Sequence, residues 1–469
     1  MNLTESAAEN KCAFVAELIY AGQFDEAREE LGELWPGLGE RPELKFNSLV
    51  NAELLLQCGT LTGWLGSAKQ VDAQEKAKNL ITEALEIFQS LDHQVKVAES
   101  QYELGMCYWR CGAFDEAQII LKKAMQGATD EQSGKILVRQ TLIEVSSGRY
   151  DQALLMLDNA RPAFESYPHA LKARWHGQMA LVLRRLATSA SKTDYYDRAI
   201  VEYTAAIYHS EQAGHQGYCA NTLNNLAFLL YKLGHYAEAH DHLDRARVML
   251  ERLKDFGNIA QVDETRARVL LAEERYEEAE RAINEVVKTL ERGGERALLT
   301  DALTTEATIL ARLGRAEESI ETFNRAIRIG EQAGARSSAG LAAVGLIEEH
   351  GASLSIYEIF NAYRDADTLL AETQDNEAIN RLRSCARIFA SRLCELTPGF
   401  RLPDAVLEYE AHFIEEVLTQ ERGSVTRAAK KLGITHQGLA FVLDTRQQKL
   451  FAKRTPPGKR RRSIIKIKK

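Results

Sequence analysis

The chain has 469 residues, 45% apolar and 27% charged, with a formal net charge of −8. No apolar run is long enough to span a bilayer and no secretory leader is recognisable. The seven cysteines (12, 58, 107, 111, 219, 385, 394) are scattered rather than paired, so a reducing cytoplasm is the expected location. No Gly-rich phosphate loop, His-Glu-x-x-His, paired Cys-x-x-Cys or nucleophile elbow occurs, so the chain is not expected to be an enzyme, and no cofactor or metal is expected.

From the N-terminus a phrase recurs: a turn residue, an aromatic, an acidic pair and a small residue. It reads Gly22-Gln-Phe24-Asp-Glu-Ala27, then Gly112-Ala-Phe114-Asp-Glu-Ala117 and Gly148-Arg-Tyr150-Asp-Gln-Ala153. It returns at Tyr196–Ala199, Gly234–Ala239, Arg275–Ala279 and Gly314–Ser319. Ala199, Ala239, Ala279 and Ser319 are spaced by forty residues, as are Ala77 and Ala117. Twelve residues before the small residue stands another: Gly105, Ala187, Ala227, Ala267, Ala307. Seven after it come Ala84, Ala124, Ala206, Ala246 and Ala326. Small residues at these offsets let paired helices approach closely, while aromatics and leucines fill the gaps.

This pattern resembles the tetratricopeptide repeat, in a form with about forty residues per unit rather than thirty-four. The resemblance implies an all-α superhelical solenoid of about eight to nine helix pairs between Ser6 and Leu396. The pairs around 40–70 and 337–396 are degenerate, as capping units tend to be. Such a solenoid offers a groove lined by the first helix of each pair, suited to a protein or peptide partner. Candidate groove residues are Tyr108, Arg184, Asn221, Asn224, Asn225 and Arg266. Consecutive asparagines in an otherwise apolar helix are costly to bury and suited to peptide backbones, although the solvent side of the helix explains them equally. Cys107 and Cys111 stand one turn apart without a second pair and read as core thiols. His235, His240 and His242 do not share one face.

After a short linker (397–403) stiffened by Pro398 and Pro403, residues 404–450 read as a small helical domain. Ala428, Ala429 and Leu432 supply the inner face of one helix, Gly433 the turn, and Ile434 a plug beneath it. Thr435 suits an N-cap, and Leu439, Val442 and Leu443 bury the inner face of the next helix. The run Phe413–Leu443 resembles the Fis-type helix-turn-helix of bacterial regulators, which implies double-stranded DNA as a partner and a homodimer on a palindromic site. Members usually carry Arg and Lys on the recognition helix. Here the outward positions are His436, Gln437, Gly438, Ala440 and Phe441, then Asp444. Gln437 suits adenine, and Ala440 or Phe441 a thymine methyl. Arg427, Lys430 and Thr435, with Arg446 and Lys449, complete the expected DNA-binding set around that helix.

The tail (451–469) is basic. From Arg446 onward there are eleven Lys or Arg and no Asp or Glu, so the first 445 residues carry −19 of the total −8. Lys453, Arg454, Lys459, Arg460, Arg461 and Arg462 read as phosphate contacts, which give affinity without sequence information. The whole is expected to be a cytoplasmic DNA-binding transcriptional regulator whose repeats bind a protein or peptide, with no membrane partner. The alternative is a repeat scaffold that docks a protein or RNA and reads no operator; steep salt dependence separates the two.

Overall fold

The computed structural model describes all residues except 1–3, 67–71, 112, 191–193, 294–295, 372, 374, 395–400 and 454–469. The described residues are helical, with no strand among them. Two compact units emerge: Met1–His350 with Tyr363–Cys385, and Gly351–Ala362 with Ala386–Lys469. The division falls before residue 396, where the sequence pattern ends the repeats.

The first unit is built from antiparallel helix pairs. They are α1 (Glu5–Ala21) with α2 (Phe24–Leu31), α3 (Ser48–Leu65) with α4 (Ala73–Ser90), and α5 (Gln94–Arg110) with α6 (Phe114–Ala124). Next come α7 (Asp130–Ser146) with α8 (Tyr150–Phe164), α9 (His169–Ala190) with α10 (Asp194–Gln212), and α11 (Gln216–Lys232) with α12 (Tyr236–Leu253). Then follow α13 (Phe256–Ala272) with α14 (Tyr276–Gly293), α15 (Arg296–Arg312) with α16 (Ala316–Gln332), and α17 (Arg336–His350), while α18 (Ile356–Leu370) has residues in both units. The single helix α19 spans Asn376–Cys394.

The periodic small residues sit where helices cross. Ala199, Ala239, Ala279 and Ser319 are fully buried, as are Ala227, Ala267 and Ala307. A Cβ added at Gly105 would lie 2.9 Å from Leu121 Cδ2, so a larger residue there would force α5 and α6 apart. The phrase before each second helix closes the first. At α11 the amide of Gly234 donates to Tyr231 O and that of His235 to Leu230 O, with φ of +83° at Gly234. This is a Schellman closure, and its left-handed residue explains the recurring glycine.

First helices of successive pairs touch each other (α7 with α9, α11 with α13, α13 with α15, α15 with α17), so they form the inner wall. Contacts across that wall join distant repeats: Arg174 Nη2 donates to Tyr20 O at 3.0 Å, and Arg185 pairs with Asp375 at 2.7 Å. The degenerate regions differ from capping units in one respect. Helix α3 is buried on nearly every side from Leu54 to Gly63, because α1 and α4 both pack on it. The α17 helix is buried similarly from Ala342 to Ile347. All-round burial removes the amphipathic pattern, which is why these repeats read as degenerate.

The second unit holds α20 (Leu402–Gln420), α21 (Val425–Lys431), α22 (His436–Thr445) and a closing 3-10 turn at Gln448–Lys453. Helix α20 begins inside the stretch expected as linker.

Candidate DNA-binding face and inner wall

In the second unit, Ile414 and Leu418 of α20, Ala428 and Ala429 of α21, and Leu439, Val442 and Leu443 of α22 form one core with Leu450. Ala428 and Ala429 are almost wholly buried, so α21 and α22 cross on them. Gly433 has φ of +70°, and the amide of Ile434 donates to Ala429 O at 3.0 Å. The Thr435 hydroxyl accepts from the Gly438 amide at 3.0 Å, capping α22. Gln447 is buried and ties the far end of α22 to α20, donating to Leu407 O at 2.7 Å. Ile434 departs from expectation: it is 43% exposed. Its amide is held in the turn, and Leu432 packs on the core beneath instead.

The face so built is exposed at Lys430, Thr435, His436, Gln437, Phe441 and Lys449, with Ala440 partly covered. Phe441 is 67% exposed, a large apolar surface for a ring that is not part of this core. Two of the expected phosphate contacts are engaged within the unit. Arg427 donates to the Glu421 carboxylate at 3.0 Å, and Arg446 pairs with Glu410 at 2.5 Å. The side chain of Lys453, and Arg454, Lys459, Arg460, Arg461 and Arg462, lie outside the described residues. On α20, Ile414 and Leu418 are spent on the core, whereas Phe413 is 51% exposed and Leu407 37% exposed.

In the first unit, the candidate groove residues have different fates. Asn224 lines a cavity of about 130 Å³ together with Gln261, Glu264, Arg268 and Asp301. Burial pushes the Asp301 carboxyl up, and Arg268 beside it is hydrogen-bonded to Glu264. Asn221 and Asn225 on the same helix are exposed. Arg184 lies over the Phe228 ring at 5.2 Å. Arg266 is paired with Asp244 at 2.6 Å, and Tyr108 packs under Lys78 at 4.9 Å.

A second set on the inner wall is not among the sequence candidates: Tyr20, Trp64, Tyr102, Arg110, Arg139, Arg174 and Tyr218. The Arg110 guanidinium lies 3.9 Å over the Trp64 ring, and Arg139 Nε donates to the Tyr102 hydroxyl at 2.8 Å. Arg174 lies 5.3 Å from both the Tyr20 and the Tyr218 rings. No sequence signal marks these residues, because they come from different helices. Histidines also gather unexpectedly: His169 and His209 Nδ1 atoms stand 2.7 Å apart, and burial with the neighbouring His176 and His169 pushes His209 down to about 4.

Comparison with known proteins agrees with this geometry. The family described as Bacterial regulatory protein, Fis family, matches residues 406–440. Tetratricopeptide repeat families match residues 98–126, 219–253 and 300–331. The chain is therefore an all-α protein of tetratricopeptide repeats joined to a C-terminal helix-turn-helix. That helix-turn-helix is of the Fis type.

No curated protein matches the chain in sequence. Its fold is similar to the crystal structure of a Rap protein complexed with competence and sporulation factor. The identity is 15% and the TM-score 0.51, over 82% of this chain and 99% of that one. It is also similar to the apo form of the quorum sensor NprR from B. thuringiensis. There the identity is 15% and the TM-score 0.50, over 70% of this chain and 89% of that one. At this identity the likeness concerns fold alone. No described helix is long and apolar enough to cross a membrane.

Proposed function

We propose that this protein is a bacterial cytoplasmic transcriptional regulator that binds double-stranded DNA through its C-terminal unit and a protein or peptide through its repeats. The observation that carries the reading is the helix-turn-helix itself. Its crossing on Ala428 and Ala429, its left-handed Gly433 and its Thr435 cap together present the outer side of α22 to solvent. Gln437 on that side reads a base edge, Phe441 packs on a thymine methyl, and the basic tail supplies phosphate contacts. The groove relatives add a precedent for the other end: a Rap protein complexed with a factor and a quorum sensor share the repeat fold. The activity is binding, with no catalytic step and no cofactor. Exposed Phe413 and Leu407 on α20 suit a homodimer.

Duplex pulled down with the tagged protein from cells should be enriched in one recurring sequence. In vitro, affinity should fall steeply with salt, and deleting 453–469 should flatten that slope and weaken all duplexes alike. DNA recovery at background level, or tail deletion without effect on affinity, would overturn the reading. One observation favours a scaffold instead: α22 carries no Arg or Lys, while Arg427 and Arg446 are already paired. A scaffold would show no preference among duplexes at any salt concentration.

A further inference from the structure

The inner wall holds a group of cations that form no ion pair among the described residues. Several arginines elsewhere on the repeats are matched by carboxylates, as in Arg247 with Asp263 at 3.1 Å, Arg266 with Asp244 at 2.6 Å and Arg381 with Glu348 at 2.7 Å. Arg110, Arg139 and Arg174 have no ion pair within 4.0 Å among the described residues. They belong to α5, α7 and α9, and their partners are rings, the Tyr102 hydroxyl and a carbonyl. Arg110 Nη2 and Arg174 Nε are buried without any hydrogen-bond partner among the described residues. A buried guanidinium N–H left unpaired is costly, and the cost is removed when an oxyanion arrives.

The surroundings fit that occupant. The first 445 residues carry −19, yet this patch of the wall is locally positive. Glu103 is the nearby carboxyl, and burial pushes it up to about 7 against the lowering by Arg110 and Arg139, so one partly ionised carboxyl faces three guanidinium groups. The Trp64 ring lies near the Arg110 guanidinium and the Tyr20 and Tyr218 rings near that of Arg174, while Arg110 Nη2 and Arg174 Nε keep N–H groups for a ligand. One turn beyond Arg174 on the same face of α9 stands Gln178, whose buried Nε2 is also unpartnered. Asn224 Oδ1 on α11 is in the same condition. An amide donor and an amide acceptor beyond the cations suit a peptide backbone rather than a free anion.

We propose that Arg110, Arg139 and Arg174 form a subsite for a carboxylate of an acidic, extended peptide, whose backbone continues along the wall past Gln178 and Asn224. The proposal rests on the reading that the repeats bind a peptide or protein partner, and it names the chemistry of that partner.

The test titrates fluorescein-labelled hexaglutamate into the full-length protein, with hexaglutamine as control and inorganic phosphate as competitor, and measures anisotropy. Hexaglutamate should bind, hexaglutamine should not, and R110Q or R174Q should each weaken binding at least tenfold while R110K retains most of it. In the wild-type chain, hexaglutamate should slow hydrogen exchange in α5 and α7, a readout that needs no variant to fold. Equal binding of both peptides, or exchange unchanged in α5 and α7, would overturn the subsite. So would binding that survives R110Q and R174Q but vanishes with residues 453–469, which places the anion on the tail. Phosphate displacing the label as well as unlabelled hexaglutamate does would mark a free-anion site and overturn the peptide assignment. Duplex affinity measured on the same samples separates the two readings: loss of hexaglutamate binding with duplex affinity intact sinks the subsite alone.

Discussion

The two units assemble their exposed chemistry in opposite ways. In the helix-turn-helix, the exposed candidate face around α22 and the core that positions it both lie between Leu407 and Leu450. In the repeats, the cationic wall draws on α1, α3, α5, α7, α9 and α11, and one of its bonds joins residues 154 positions apart. The first arrangement is local and is written out in spacing. The second arises only when the superhelix brings separate repeats together, so no single repeat carries it. The units also treat charge differently. Arg427 and Arg446 next to α22 are neutralised by Glu421 and Glu410, whereas Arg110, Arg139 and Arg174 form no ion pair among the described residues.

The contrast breaks first at Ala429. Leucine there overpacks the crossing of α21 and α22 at a cost of about 1–3 kcal/mol. In so small a core this should abolish duplex binding while the thermal transition of the repeats stays in place. Calorimetry and gel-shift on A429L check it; retained binding would mean that the crossing is not what presents α22.

The next effect belongs to the wall. Glu103 is held protonated up to a pH of about 7 in the folded chain by burial. In the unfolded chain it ionises near its ordinary value, so the stability tied to it is complete at low pH and is lost as pH rises through the folded value. Glu103→Gln removes this loss. E103Q should match wild type at pH 4 and exceed it by about 2 kcal/mol at pH 8.5. Urea unfolding at both values decides it: an equal difference at both would mean that ionisation is not involved.

Legibility follows the same division. The forty-residue register of Ala199, Ala239, Ala279 and Ser319 told the fold, because each buried position constrains one residue type at one offset. Ala429, Gly433 and Thr435 were legible for the same reason. Ile434 was misread, since spacing says which residue is near the turn but not which neighbour fills the space below it. Helix α3 was read as degenerate because burial on all sides erases periodicity. Trp64, Arg110 and Arg174 were not singled out at all. An arginine on a helix face looks alike in sequence whether a glutamate from the next repeat reaches it or not.

Specificity should respond more modestly. Gln437 is exposed on α22, and on the proposed reading its loss removes a two-point contact to one base. Q437A should reduce discrimination between the preferred duplex and a single-base variant by about 1–2 kcal/mol. The dependence of log affinity on log salt should be unchanged, because no phosphate contact is lost. A changed slope with preserved discrimination would assign Gln437 to the backbone and move base reading elsewhere on the face.

The smallest effect tests the repeat register itself. The left-handed residue that closes α1, α7, α11 and α15 is glycine at 22, 148, 234 and 314, with φ of +82°, +73°, +83° and +78°. At the end of α13 the same position is Glu274, with φ of +61°. Its closure is otherwise identical: the Glu274 amide donates to Leu271 O and the Arg275 amide to Leu270 O. The side chain is exposed and forms no ion pair among the described residues, so nothing visible offsets the steric cost of a Cβ in this conformation. That cost is about 1 kcal/mol, and Glu274→Gly should recover it as added stability. The reverse change, G234A, should lose at least as much. Denaturant midpoints of the two variants measure both. If E274G destabilised the chain, Glu274 would owe its place to a contact in an assembled state, and the repeats would be closed by more than their turns.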